Sequence, residues 1–146
     1  MTTETEEARP GPDLVKVHVT LGGSEKVAGE SLWAEAVGGG SYRILNVPFL
    51  SPDLHYGDVV RCRRRQGILE VLDVVEEAPE DRYVFAVRAG VGPDRWRALL
   101  DTLSGLGARV ESSGDGLIAA QVPRLRSELL EAYAETSGIV DVVHVA

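Results

Sequence analysis

The sequence predicts an α+β protein in which a small β-barrel-like or curled antiparallel sheet is followed by a ferredoxin-like βαββαβ unit. Alternating apolar residues and tight-turn signals occupy residues 14–78, without helical periodicity. Apolar residues at helical spacing appear only after an acidic run at residues 76–81. Because the pattern changes there, we predict two subdomains, a β-rich one at residues 14–78 and a ferredoxin-like one at residues 82–146.

The chain begins with a segment that carries no hydrophobic periodicity. Residues 1–13 are acidic and contain two prolines, so we predict a disordered acidic tail. Residues 14–21 then alternate strictly, with Lys16 and His18 on one face and valines on the other. This alternation is typical of a strand that is buried on one side.

Two hairpins complete the β-rich subdomain. Residues 32–37 alternate and lead into a turn at Gly38–Gly40, from which a return strand begins. A second pair of strands follows, Asp58–Arg64 and Ile68–Val75, joined by a turn at Gln66–Gly67. Short strands joined by tight turns favour a small closed or curled sheet.

The second subdomain is predicted from start and stop signals. Proline favours the first turn of a helix and glycine favours the position just after its end, and leucines at helical spacing lie between them. The predicted elements, in order, are a strand at residues 82–90, a helix from Pro93 to Gly107, a hairpin that turns at Ser113–Gly116, a helix from Pro123 to Gly138 and a strand at residues 139–146.

Charge and composition restrict the partners and the compartment. The net charge of -8 disfavours nucleic acid as a partner, because such proteins need a basic face for phosphates. No apolar run is long enough to span a bilayer, and the acidic start is unlike a signal peptide, so we expect a cytoplasmic protein without membrane contact. The single cysteine cannot form an internal disulfide.

Four arginines and the single cysteine fall within residues 56–65. On a strand, Arg61, Arg63 and Arg65 share one face and could line a groove for a phosphate, a carboxylate or an acidic peptide. The alternative is a solvated face whose arginines pair with acids on the next strand, such as Asp73. We favour the acid-paired face, with an anion-binding patch only if Trp33 flanks it.

Motifs for metals and cofactors are missing from the sequence. The three histidines do not have the spacing of a metal site, and there is no Cys-x-x-Cys pair, so we predict no metal and no cofactor. A glycine-rich loop with Gly90 and Gly92 leads from a strand into a helix, whose free N–H groups would favour an anion. The alternative is a loop that only needs flexible residues, and we favour that interpretation.

Several short segments occur together in a recognisable order. They are "ESLWAE" at Glu30–Glu35, then Asn46, Pro48 and Phe49, then "GDVV" from Gly57. In this order and at these spacings they resemble DUF4265, a bacterial family of domains of unknown function, from about Leu14 to the C-terminus. The resemblance implies a small bacterial protein, and it implies no reaction and no catalytic residues.

The same segments also suggest a surface. Trp33 and Glu35 share a strand face beside the return strand with Asn46, and Asp58 lies at a tight turn. If Trp33 is exposed, this is a binding surface; if it is buried, Trp33 is a core anchor, which we favour. The candidate ligand-binding residues are Trp33, Glu35, Asn46, Asp58, Arg61, Arg63, Gly90 and Gly92.

These observations predict a binding or regulatory module that recognises a small anionic ligand or a peptide. The alternative is an enzyme that modifies a small molecule or peptide with Asp, Glu, Tyr or Arg and without a metal, since such sites leave little trace in a sequence. A nucleic-acid binder that uses the arginine strand is the least favoured hypothesis. The sheet edges offer a route to an oligomer.

Overall fold

The computed structural model describes residues 14–21 and 29–146. The predicted disordered tail, residues 1–13, lies outside the described residues. The chain forms two compact units, one ending at Ala78 and the other comprising Pro79–Ala146. Within these described residues, two largely antiparallel sheets, of five and four strands, and two helices confirm the α+β class.

The described part of the first unit contains five strands. They are β1 (Leu14–Thr20), β2 (Gly29–Gly38), β3 (Ser41–Ile44), β4 (Val59–Arg65) and β5 (Ile68–Glu76). Consecutive strands pair antiparallel, and β1 also pairs with β5 in parallel. A curled sheet, as predicted, fits this pairing.

The predicted alternation decides which side chains of the first unit are buried. Val17, Leu32, Ala34 and Val60 face inward and are less than 4% exposed. They belong to one apolar cluster, because successive side chains of a strand point to opposite faces. The turn between β4 and β5 lies at Gln66–Gly67, where both residues have the positive φ that a two-residue type I′ turn requires.

The second unit is a four-stranded antiparallel sheet with two helices. Its elements are β6 (Glu80–Val87), α1 (Pro93–Gly105), β7 (Arg109–Ser112), β8 (Leu117–Pro123), α2 (Ser127–Ser137) and β9 (Val140–Val145). The strand order in the sheet is β7-β8-β6-β9. Tyr83 and Phe85 of β6 share an apolar cluster with Leu99 of α1 and Leu130 of α2, so both helices pack on one face of the sheet.

One helix begins later than predicted. Pro123 is the last residue of β8, with ψ 143, and it pairs with Glu80 instead of opening the helix. A short 3-10 turn at residues 124–126 follows, and α2 begins at Ser127. The helix ends as predicted at Gly138, which adopts the left-handed conformation with a φ of 73. Glycine adopts this conformation with little steric strain because it has no Cβ.

Candidate functional site

A groove with a cavity volume of about 510 Å³ lies on the first unit, where β1, β2 and the β4–β5 hairpin meet. Its wall includes three basic residues, Lys16, His18 and Arg64, together with Trp33 and apolar residues of β1 and β5. None of the described residues that line it is acidic. In a chain with a net charge of -8, this groove is a locally basic surface.

Pairing of β1 with β2 builds one wall of the groove. The register places Lys16 directly opposite Trp33 and His18 opposite Ser31. The Lys16 ammonium lies 4.5 Å from the centroid of the Trp33 ring, within the range of a cation–π interaction. The Trp33 ring therefore positions the positively charged Lys16 ammonium at the groove wall.

Asn46 and Leu45, which follow β3, hold the backbone of Trp33. The side-chain oxygen of Asn46 accepts a hydrogen bond from the Trp33 N–H at 2.6 Å, and the Trp33 carbonyl accepts one from Leu45 at 2.8 Å. Trp33 is half-buried and lies outside the apolar cluster of the first unit. The interpretation of Trp33 as a core anchor was therefore wrong, because the core-facing positions of β2 belong to Leu32 and Ala34.

His18 has a position that depends on a neighbouring glycine. Its Nδ1 lies 3.4 Å from the Ser31 hydroxyl oxygen, and its ring passes over Gly29. A Cβ atom at position 29 would lie 2.5 Å from His18 Nε2 and would overlap the carbonyl oxygen of Val19. The absence of a side chain at Gly29 thus leaves room for the imidazole.

The arginines of β4 divide into two groups. Arg61 makes a two-pronged contact with Asp73, with its Nε and Nη2 at 3.1 and 2.8 Å from the two carboxylate oxygens. Arg63 and Arg65 both approach Glu70, at 3.7 and 3.4 Å. These three side chains form an acid-paired, exposed face, and none of them lines the groove.

Arg64 differs from these three arginines, because it lines the groove. Its guanidinium donates a long hydrogen bond of 3.4 Å to the Gly67 carbonyl across the hairpin turn. Among the described residues it makes no ion pair. The side chain that accompanies Trp33 is therefore Arg64, and the two arginines singled out from the sequence, Arg61 and Arg63, lie elsewhere.

Two other predicted site residues, Glu35 and Asp58, contact other parts of the first unit and not the groove. Glu35 lies 3.4 Å from Arg43 on β3, and both side chains are about 40% exposed, at 42% and 41%. Asp58 is fully buried, and its carboxylate accepts hydrogen bonds from the N–H groups of His55 and Ala78 at 2.9 and 2.7 Å. Neither carboxylate lines the groove.

Gly90 and Gly92 belong to the second unit. Gly90 has a φ of 89, which is left-handed, and the Gly92 carbonyl accepts a hydrogen bond from Trp96 at 3.0 Å where α1 begins. Within the part of the chain that the structure describes, no side chain caps this helix start. The two glycines shape the turn into α1 and are not part of the groove, whose lining comes from the first unit.

Residues 30–134 match the family model of DUF4265, a domain of unknown function. The match covers more than half of the 146 residues. The chain belongs to DUF4265. Trp33 and Arg64 lie within the matched residues, whereas Lys16 and His18 precede them.

The fold of this DUF4265 protein is also similar to a solved structure, described as a hypothetical protein from Neisseria gonorrhoeae. The TM-score is 0.68 at 18% sequence identity, over 88% of this chain and 92% of the other. At this identity the similarity concerns the fold alone. No curated protein matches the sequence.

The DUF4265 chain has a second polar cluster, in the Pro79–Ala146 unit. The buried Tyr83 hydroxyl donates a hydrogen bond to Glu131 at 2.5 Å, and Ser127 donates one to Asp81 at 2.5 Å. Burial, followed by the hydrogen bond to Glu131, raises the pKa of Tyr83 to about 12. The phenol therefore remains protonated near neutral pH, and the cluster links β6 to α2.

Cys62 is the remaining reactive group of the arginine strand. Its side chain packs beside the apolar cluster of the first unit, while Arg61 and Arg63 are paired with acids on the following strand. Burial raises the pKa of the Cys62 thiol to about 11. Since the thiolate is the nucleophile and the metal ligand, this thiol is poorly suited to either role near neutral pH.

Two further properties concern the described residues as a whole. Within residues 14–21 and 29–146, no three His, Cys, Asp or Glu side chains are grouped so that they could hold a metal ion. Over the same residues, neither helix has the length and apolar character needed to cross a bilayer.

Sequence reasoning missed Lys16, His18 and Arg64 as site residues. Strict alternation had already placed Lys16 and His18 together on one face of β1, so the sequence did show that these two basic side chains lie side by side. What the sequence did not show is the register that sets Lys16 against Trp33, or the pairing of β1 with β5 that brings Arg64 to the same groove. Both depend on contacts between distant parts of the chain.

Proposed function

We propose that this DUF4265 protein is a binding or regulatory module that recognises a small anionic ligand or a peptide in the groove. The observation that carries the proposal is the grouping of Lys16, His18 and Arg64 around a cavity of about 510 Å³ that no described carboxylate lines. Trp33 is the candidate predicted from the sequence that remains part of this site. The anion contact moves from Arg61 and Arg63 to Arg64.

Simple energetics support an anion as the ligand. Hydrogen bonds to charged groups contribute about 1.5–3 kcal/mol each, and a micromolar affinity requires about 8 kcal/mol. Contacts from Lys16 and Arg64 supply part of that free energy, and burial of apolar ligand atoms against Val15 and Ile68 supplies more. The acid-paired arginines would first have to release Asp73 or Glu70, so they offer less.

The proposal is tested by a thermal-shift screen followed by matched variants. The screen uses phosphate, citrate, glutamate and short acidic peptides, because a ligand at a hundred times its Kd stabilises the folded state by about 2.7 kcal/mol. We expect Lys16→Ala with Arg64→Ala to weaken binding of any hit at least tenfold. The control is Arg61→Ala with Arg63→Ala, which we expect to leave affinity unchanged.

Two outcomes would overturn the proposal. One is a screen in which no anion raises Tm. The other is a hit that both double variants weaken equally, since that would indicate a general effect of lost positive charge and not a specific contribution of the groove.

The proposed function goes with an architecture and a location. A barrel-like first subdomain is supported by the pairing of β1 with β5, and a ferredoxin-like second subdomain by the order β7-β8-β6-β9. The division after residue 78 is supported by the two compact units, and the start proposed at residue 82 moves to Pro79, because β6 already begins at Glu80. Expression of residues 79–146 alone tests this boundary, since an independent subdomain gives a cooperative unfolding transition. A cytoplasmic location is proposed with this module, and cell fractionation tests it.

A further inference from the structure

The groove lies where two strands separate. β1 pairs with β2 along its whole length, but it pairs with β5 only at Val17 and His18. In a parallel register, Lys16 would face Ile68, the first residue of β5, and the residues before Lys16 would face the hairpin turn at Gln66–Gly67. Because the chain turns away there, β5 does not continue alongside the first part of β1.

The lining of the groove identifies the part of β1 that is open. Five consecutive residues, Leu14 to His18, all line it. Successive side chains of a strand point to opposite faces, so a groove on one face alone would be lined by alternate residues. A groove lined by all five therefore reaches the edge of β1 that faces away from β2, where no described strand is paired with the residues before Val17.

We propose that the ligand of the groove is a short acidic peptide, which adds to the open edge of β1 as an extended strand. This inference rests on the proposed function and names its ligand. An exposed strand edge offers a row of backbone donors and acceptors, and peptides bind such edges through main-chain hydrogen bonds. The edge formed by Leu14–Lys16 corresponds to about 10 Å at strand rise, the length of three extended residues.

The charges of the groove determine which peptide fits. Lys16 and Arg64 are basic, the lining carries no described acid, and Lys16 lies on the outer face of β1 beside Trp33. Acidic side chains at alternate positions of the added strand would share the outer face and reach Lys16, whereas Arg64 lies on the opposite face, which it shares with Leu69. The intervening positions would share the face of Val15 and Leu69, which line the groove and belong to the apolar side of the sheet. The chemistry thus favours alternating acidic and apolar residues.

The test uses the blocked peptide acetyl-Glu-Val-Glu-Val-Glu-amide and the full chain, with binding measured by calorimetry. Two derivatives carry N-methyl groups, one on the odd-numbered amides and one on the even-numbered amides. Alternate N–H groups of an added strand point toward β1, so we expect one derivative to lose at least tenfold in affinity and the other to bind within about threefold of the parent. A Lys-Val-Lys-Val-Lys peptide with the same blocked ends should not bind.

The outcomes separate this inference from the proposed function. Equal binding of both derivatives and the parent, or equal loss in both derivatives, overturns strand addition. Binding of phosphate or citrate without binding of the peptide also overturns it, and in either case the groove remains an anion site if Lys16→Ala with Arg64→Ala weakens binding. If neither the peptide nor any small anion binds, both proposals fail.

Discussion

Glu30 and Ser51 are joined by two hydrogen bonds. One carboxylate oxygen of Glu30 accepts from the Ser51 N–H at 2.9 Å and from the Ser51 hydroxyl at 2.6 Å. The other oxygen accepts from the Phe49 N–H at 2.8 Å. Ser51 is fully buried, so its N–H and hydroxyl groups are shielded from water and would have no hydrogen-bond acceptor without Glu30. The first residue of "ESLWAE" therefore anchors the loop after β3 to the start of β2.

Glu30→Ala should destabilise the protein by about 2–3 kcal/mol, because it leaves several loop donors without their charged acceptor. The matched control is Glu35→Ala on the same strand, where the exposed pair with Arg43 is expected to contribute less than about 1 kcal/mol. Urea unfolding of both variants measures the difference. Equal losses would show that Glu30 does not have this anchoring role.

Asp58→Asn should be similarly costly, at about 2–4 kcal/mol. The two oxygens of the buried carboxylate accept hydrogen bonds from the N–H groups of His55 and Ala78. In asparagine an NH2 group replaces one of these oxygens, so one backbone N–H would lie against another hydrogen-bond donor. Asp53→Asn, at an exposed position nearby, should stay within about 0.5 kcal/mol of the native protein. A mild Asp58 variant would reopen the possibility that Asp58 serves ligand binding.

These residues show what the sequence could and could not predict. The alternation of β1 and β2 predicted the inward set, including Val17 and Leu32, because side-chain direction on a strand is a local property. The burial of Asp58 was not predictable from its turn, since one of its partners is Ala78, twenty residues later.

The candidate site shows the same limit. The solvated, acid-paired face of β4 followed from the charge pattern of one hairpin, and Arg61 does pair with Asp73. Arg64 entered the site only through the pairing of β1 with β5, which joins residues about fifty positions apart. Trp33 was selected from the sequence, but the cation above it, Lys16, depends on the register of β1 against β2.

Two glycines should respond in opposite directions to alanine substitution. Gly29→Ala places a Cβ against the Val19 carbonyl and the His18 ring, and such overpacking costs about 1–3 kcal/mol. Gly105 lies at the end of α1 with open space around its Cβ position, so Gly105→Ala should stabilise by about 0.5–1 kcal/mol. Thermal unfolding of the two variants tests both signs, and a stabilising Gly29→Ala would contradict the packing of His18.

Cys62 should react slowly with alkylating reagents at neutral pH. Burial raises its pKa to about 11, and only the thiolate attacks, so the rate of iodoacetamide labelling should keep rising with pH up to that value. In urea the same thiol should reach half of its maximum rate near the ordinary pKa of about 8.5. A native-state rate that levels off below pH 9 would mean that burial does not control this thiol.

Tyr83 should make the stability of the protein depend on pH in the alkaline range. Its folded-state pKa is raised to about 12, by burial first and then by the hydrogen bond to Glu131, from an ordinary value of 10.0. The folded state therefore holds the phenolic proton more tightly than the unfolded state. Its contribution is fully present below about pH 10 and is lost as the pH rises toward 12.

Tyr83→Phe isolates this effect from that of the other tyrosines. The variant lacks both the titration and the hydrogen bond to Glu131, so it should be less stable than the native protein near pH 8. The gap in unfolding free energy should then narrow between pH 10 and pH 12, because only the native protein loses the Tyr83 contribution there. Urea unfolding at pH 8, 10 and 11 measures the gap, and absorbance titration of the phenols reports the pKa directly. A gap that stays constant over this range would show that Tyr83 titrates alike in the folded and unfolded states.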